Sequence, residues 1–159
     1  MRISSIIIAL ILALGFLSGP VFAEGLQLTP VDNAATLKEC GACHLAFPPQ
    51  MLPERSWKAL MDGLSSHFGE DASLPKDIQS NISNYLMAMS ADSLTNDEGR
   101  VFMRGISSDQ TPLRITDTPI WGRIHDEINP DVFKRPKIKS AANCAACHLM
   151  ADRGVFSEE

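Results

Sequence analysis

Cys40-Gly41-Ala42-Cys43-His44 and Cys144-Ala145-Ala146-Cys147-His148 are the two stretches on which the reading of this chain turns. Both spell C-x-x-C-H, the attachment signature of c-type haem. The spacing follows from the chemistry. Two thiols three positions apart lie on one face of a helical turn, so both can add to the vinyl groups of one haem. The histidine four residues after the first cysteine lies on the same face and reaches the iron as proximal ligand. A lone C-x-x-C also serves zinc and thioredoxin-like sites. Here both copies end in histidine and together consume all 4 cysteines, leaving none for a structural disulfide. Two covalent haems are expected, one on Cys40 and Cys43 with His44, the other on Cys144 and Cys147 with His148.

The N-terminus sets the compartment. Arg2 supplies a positive start, Ile6 to Leu17 is an apolar run, and Ser18-Gly19-Pro20 breaks it. Val21-Phe22-Ala23 then presents a small residue for cleavage, so residues 1–23 read as a Sec signal peptide cut after Ala23, with the mature protein in the periplasm. Retention as an anchor is the alternative, although the run falls short of the roughly 20 residues a spanning helix needs. Covalent haem attachment takes place on the exported side of bacterial membranes, so leader and motifs support each other. The whole chain carries a formal charge of −5, and loss of Arg2 makes it more acidic. Nucleic acid is therefore not an expected partner. A monomer is expected.

From Glu24 the chain reads as an irregular entry and then a helix from Ala34 to His44 that presents the first motif. Pro48 and Pro49 end it. A second helix has Pro53 near its start and Glu54 in its first turn, where an acid suits the helix dipole. Trp57, Leu60, Met61 and Leu64 form its apolar stripe, His67 extends the stripe, and Gly69 stops it. A third helix runs from about Pro75 to Ala91 with Ile78, Ile82, Tyr85, Leu86 and Met89 on one face. Three helices with C-x-x-C-H on the first resemble a class I cytochrome c domain, here residues 24–94. In that family the distal ligand, usually methionine, comes from the loop before the last helix; this chain has His67 there. Met51 in the proline-rich loop is the rival, and Met61, Met87 and Met89 lie within helices, where methionine is usually core filler.

From Asp92 to Thr118 the composition turns to Ser, Thr, Asp and Gly, marking a boundary before a second unit, residues 95–159. Thr95-Asn96-Asp97-Glu98 matches a capping box that opens either a short helix through Met103 or a loop. Asp117 or Thr118 caps a helix beginning at Pro119, with Ile120, Trp121, Ile124 and Ile128 apolar and His125 beside them, ended by Asn129-Pro130. Lys134, Arg135, Lys137 and Lys139 read as a solvated basic loop, or as attraction to a haem propionate or an acidic partner. Ser140 should cap a last helix through the Ala-rich stretch into the second motif. Only 4 histidines exist, two of them proximal. His67 and His125 remain, each on a helix with a tryptophan, and His67 follows His44 by as many residues as His125 precedes His148. His125 is thus a candidate ligand of the second haem, with Met103 and Met150 as rivals, and a crossed arrangement in which it serves the first haem stays open.

Several stretches carry a sharper resemblance: Leu52-Pro53-Glu54-Arg55-Ser56-Trp57, His67-Phe68-Gly69, Thr111 to Pro119 leading into Trp121 and His125, Asn143, and Ala151 to Phe156. Together they resemble the dihaem cytochrome c family of bacterial periplasms over essentially the whole mature chain. The resemblance implies an all-α fold, with a small class I-like three-helix haem domain followed by an irregular, loop-rich helical unit holding a second haem close by. It also implies bis-histidine ligation, His44 with His67 and His148 with His125. Implied partners are redox proteins: a small soluble monohaem cytochrome as acceptor and a membrane b-type cytochrome as donor. Iron with two imidazoles is six-coordinate, with no open position for substrate, and lacks the methionine that raises a haem potential. The expected role is a low-potential electron carrier, not an enzyme. The alternative is a haem-based sensor or binder of oxygen, nitric oxide or peroxide with one labile distal ligand.

Overall fold

The structure is a computed structural model that describes residues 26–94 and 97–157. The expected leader, and Thr95-Asn96 of the expected capping box, lie outside the described residues. Helix α1 (Ala34–Glu39) opens at Asn33, whose side-chain oxygen accepts from the Thr36 amide at 2.8 Å, satisfying one of the donors a helix start leaves orphaned. It is shorter than the spacing suggests. The Cys40 carbonyl accepts from the Cys43 and His44 amides, at 3.5 and 3.4 Å, so the motif occupies a single turn after the helix and keeps the i to i+4 relation without more helix.

Helices α2 (Glu54–Asp62) and α3 (Lys76–Ala88) each follow a proline, as expected. Their apolar stripes meet in one core of Leu52, Trp57, Met61, Leu64, Ile82 and Leu86. The buried Trp57 indole also donates to the Pro49 carbonyl at 2.7 Å, tying the proline turn Pro49–Met51 to α2. After α2 a tight turn, Leu64–Ser66, replaces the extra helical turn that would have carried His67.

Helix α4 (Asp97–Met103) and helix α5 (Pro119–Ile124) form the rest. Thr118 caps α5 by accepting from the Trp121 amide. The helix stops at Ile124, not Ile128, and the His125 amide and imidazole both bond the Trp121 carbonyl, at 3.2 and 2.9 Å. The helix expected after Ser140 is only a short turn, Cys144–Ala146. Side chains outcompete it locally: Ser140 Oγ accepts from the Ala142 amide, and Asn143 Nδ2 donates to the Ile138 carbonyl. The second motif still closes one turn, with the His148 amide on the Cys144 carbonyl at 2.8 Å.

Strands β1 (Leu26–Gln27) and β2 (Val155–Phe156) pair antiparallel and bring the two ends of the described chain together. A second core joins both halves: Leu28, Met51 and Ala91 pack with Phe102 and Ile120. Arg55 adds polar ties, donating to the Gln110 carbonyl at 2.6 Å and the Ser107 carbonyl at 2.9 Å, while pairing with Asp92. Among the described residues no helix is long and apolar enough to cross a membrane.

Candidate functional site

His44, in the turn after α1, faces His67, which follows α2. Their ring centroids are 6.2 Å apart and their planes 22° apart. His44 lies flat against Phe47 at 5.0 Å, and its Nδ1 is 2.7 Å from the Leu45 carbonyl. That bond makes Nδ1 the protonated nitrogen and leaves the Nε2 lone pair free for a metal. His67 is held differently. It pairs with Glu70 through two backbone hydrogen bonds, 2.8 and 3.1 Å, across Phe68 and Gly69, whose φ angles are both positive. Two positive φ values in succession mark a type I′ turn, which glycine suits and phenylalanine tolerates at a cost. Burial, the neighbouring His44 and then Arg114 hold the His67 imidazole below its usual protonation range, so the neutral form is favoured.

The second pair repeats the spacing with another geometry. His125 and His148 have centroids 6.2 Å apart, but their planes are 83° apart. His125 caps the end of α5, its Nδ1 2.9 Å from the Trp121 carbonyl and its ring stacked on the indole at 4.6 Å. His148 packs against Phe156 of β2, with Nδ1 3.2 Å from the Ser157 carbonyl. In both rings Nε2 is again the nitrogen left free. The structure thus brings together His44 with His67 and His125 with His148.

A cavity of about 640 Å³ adjoins the first pair, within the range of cofactor-sized sites. Cys40, Cys43, His44 and His67 line it with Trp57, Leu60, Met61, Leu64 and Leu86, and its far side reaches Trp121, Ala142 and Cys144. The first site therefore borders the second. All four thiols are unpaired. Burial raises both the Cys40 and the Cys144 thiol above the usual range. Next to the second pair, Ile124, Ile128, Leu149 and Met150 are exposed apolar side chains. Thiol pairs, free imidazole nitrogens and apolar walls fit covalently held haem. Among the described residues no cluster of three or more His, Cys, Asp or Glu is arranged to hold a bare metal ion.

The methionines weighed as rivals are scattered. Met51 is buried in the core shared by both halves, where Met103 packs at the edge; Met61 lines the cavity; Met87 packs on the first core; Met150 is exposed. Among the cavity residues is one whose contact with the site no local pattern records. Arg114, from the segment between the units, sets its guanidinium 4.0 Å over the ring of Phe68, beside His67. It was legible only as part of a family-like stretch, since nothing local links it to the turn it touches.

The chain matches the family described as dihaem cytochrome c over residues 36–156. Among solved structures it is similar to a diheme cytochrome c from Rhodobacter sphaeroides, with TM-score 0.74 and 46% identity over 80% of this chain and 99% of that one. A diheme cytochrome c from Shewanella baltica is similar at TM-score 0.63 and 32% identity, over 79% of this chain and 87% of that one. No curated protein matches.

Proposed function

The chain belongs to the dihaem cytochrome c family, and on that premise we propose that it is a low-potential electron relay with two bis-histidine haems. It is an electron-transfer protein carrying two c-type haems. Within the proposal, residues 24–94 hold the first through Cys40, Cys43, His44 and His67. Residues 95–159 hold the second through Cys144, Cys147, His148 and His125. Cytochromes c of this kind are typically exported, and the sequence of residues 1–23 supports a periplasmic site with cleavage after Ala23.

The observation that carries the ligand assignment is the common 6.2 Å separation within each histidine pair. Two imidazoles held by one metal through metal–nitrogen bonds of about 2.0 Å would bring their rings to about this separation. The same distance argues against a crossed arrangement, since each pair belongs to one motif.

A haem held at each site would supply a one-electron couple between the ferric and ferrous states. The residues do the rest. Thiols tether the macrocycle, and the carbonyls of Leu45, Trp121 and Ser157 keep three imidazoles with Nε2 outward. Histidine in place of methionine keeps both potentials low. Neighbouring sites, bridged by the cavity that runs from His44 to Cys144, suit entry at one haem and exit at the other. A membrane b-type cytochrome as donor and a soluble monohaem cytochrome as acceptor fit this role.

The test is His67→Met in the haem-loaded protein. One of two potentials should rise, by on the order of 100 mV, and a methionine–iron charge-transfer band should appear. If neither changes, His67 is not a ligand. Carbon monoxide binding to the reduced wild-type protein would favour the small-ligand alternative.

A further inference from the structure

The two histidine pairs match in distance and differ in twist, 22° against 83°. When two imidazoles bind one iron from opposite sides, each ring plane contains the bond axis, so the angle between planes is the relative rotation of the ligands. The filled π orbital of an imidazole stands perpendicular to its ring and overlaps one of the two iron d orbitals that extend along that axis. Near-parallel rings act on the same d orbital and split the two in energy. Near-perpendicular rings act on one each and leave them close together. Axial ligands tune haem electronics through this kind of interaction.

The cause of the twist at His125 lies in α5. Its Nδ1–H donates to the Trp121 carbonyl, which decides the nitrogen that points outward. Its ring lies on the Trp121 indole with planes 20° apart, which decides the plane. The indole is held in turn: Phe133 packs against it at 5.5 Å, and Thr118 accepts from the Trp121 amide. Among the described residues, His67 has no flat partner of that kind besides His44; Phe68 meets it edge-on, at 62°.

We propose that Trp121 is a positioning residue that sets the plane of His125 and thereby makes the second haem electronically distinct from the first. The proposal rests on the ligand assignments made above. It predicts near-degenerate axial d orbitals at the second iron and split ones at the first.

Low-temperature electron paramagnetic resonance of the fully oxidised, haem-loaded protein tests it. The expected spectrum has two low-spin ferric signals of equal weight, one rhombic and one strongly anisotropic. Trp121→Ala should abolish the strongly anisotropic signal in favour of a second rhombic one, leaving the first haem's signal unchanged. Trp121→Phe, which keeps a flat face, should preserve it. Trp121→Leu, bulky but not flat, repeats the Ala comparison should that variant fail to accumulate. Two rhombic signals in the wild type, or an anisotropic signal that survives both Ala and Leu, overturn the proposal. A high-spin signal or a methionine charge-transfer band in the wild type would instead remove the bis-histidine reading beneath it.

Discussion

Arg114 shows how one side chain far along the chain reaches the first site. Its guanidinium rests on Phe68, one residue from His67, and it lines the cavity that adjoins the first histidine pair. A positive charge there disfavours the ferric state, which carries one more positive charge than the ferrous. Arg114→Gln should therefore lower one of the two reduction potentials. Because the residue is exposed, screening limits the shift to on the order of 20 mV. A redox titration measures it, and an unchanged or raised potential would mean that the charge does not reach the first haem. The contact is worth about 0.5–1 kcal/mol to the fold as an exposed cation–π pair, so stability should change little.

Among the elements, the turn after α2 has two successive residues with positive φ. Phe68 and Gly69 have φ of 54° and 103°, and the two backbone bonds between His67 and Glu70 depend on both values. A Cβ on Gly69 would meet nothing within 4 Å, so Gly69→Ala tests the backbone alone. The expected cost is about 1 kcal/mol, or roughly 3–6 °C in Tm, read from thermal unfolding by circular dichroism. An unchanged Tm would mean that the turn relaxes freely and does not hold His67. The helices themselves were largely legible: Trp57 and Met61 of α2 and Ile82 and Leu86 of α3 lie where the 3.6-residue period puts them, and Leu64, in the turn after α2, joins them in one core. Helix ends were not. Four expected helices stop short: the first gives way to the motif's own turn, the second to the turn Leu64–Ser66, α5 ends at Ile124, and the last is only the turn Cys144–Ala146, where the Ser140 and Asn143 side chains bond nearby backbone groups.

At the scale of the molecule, residues on the two sides of the composition boundary share structure. Leu28, Met51, Ala91, Phe102 and Ile120 make one core from both sides of the composition boundary, and β1 pairs with β2 across the length of the chain. The β pairing needs Gly154, whose φ is 76° and where a Cβ would come within 2.2 Å of the Leu28 carbonyl oxygen. Phe102 is buried in the shared core, so Phe102→Ala should cost about 3–5 kcal/mol. Its effect should appear as one transition, with haem absorbance and helical circular dichroism lost together in denaturant. A biphasic curve, with part of the haem signal unmoved, would show the halves unfolding separately.

The sequence by itself determined the covalent chemistry, two C-x-x-C-H turns, because thiol and imidazole spacing within five residues is a local property that survives whatever the surrounding helices do. It also singled out His67 and His125, because so few histidines are present. Only the tertiary structure decided which histidine faces which, that each pair sits at 6.2 Å, and that one pair is near-parallel and the other near-perpendicular. Those relations join residues far apart in the chain, through a strained turn in one case and an indole face in the other. No periodicity records them, because they arise only when α1, α2, α5 and the C-terminal turn are packed against one another.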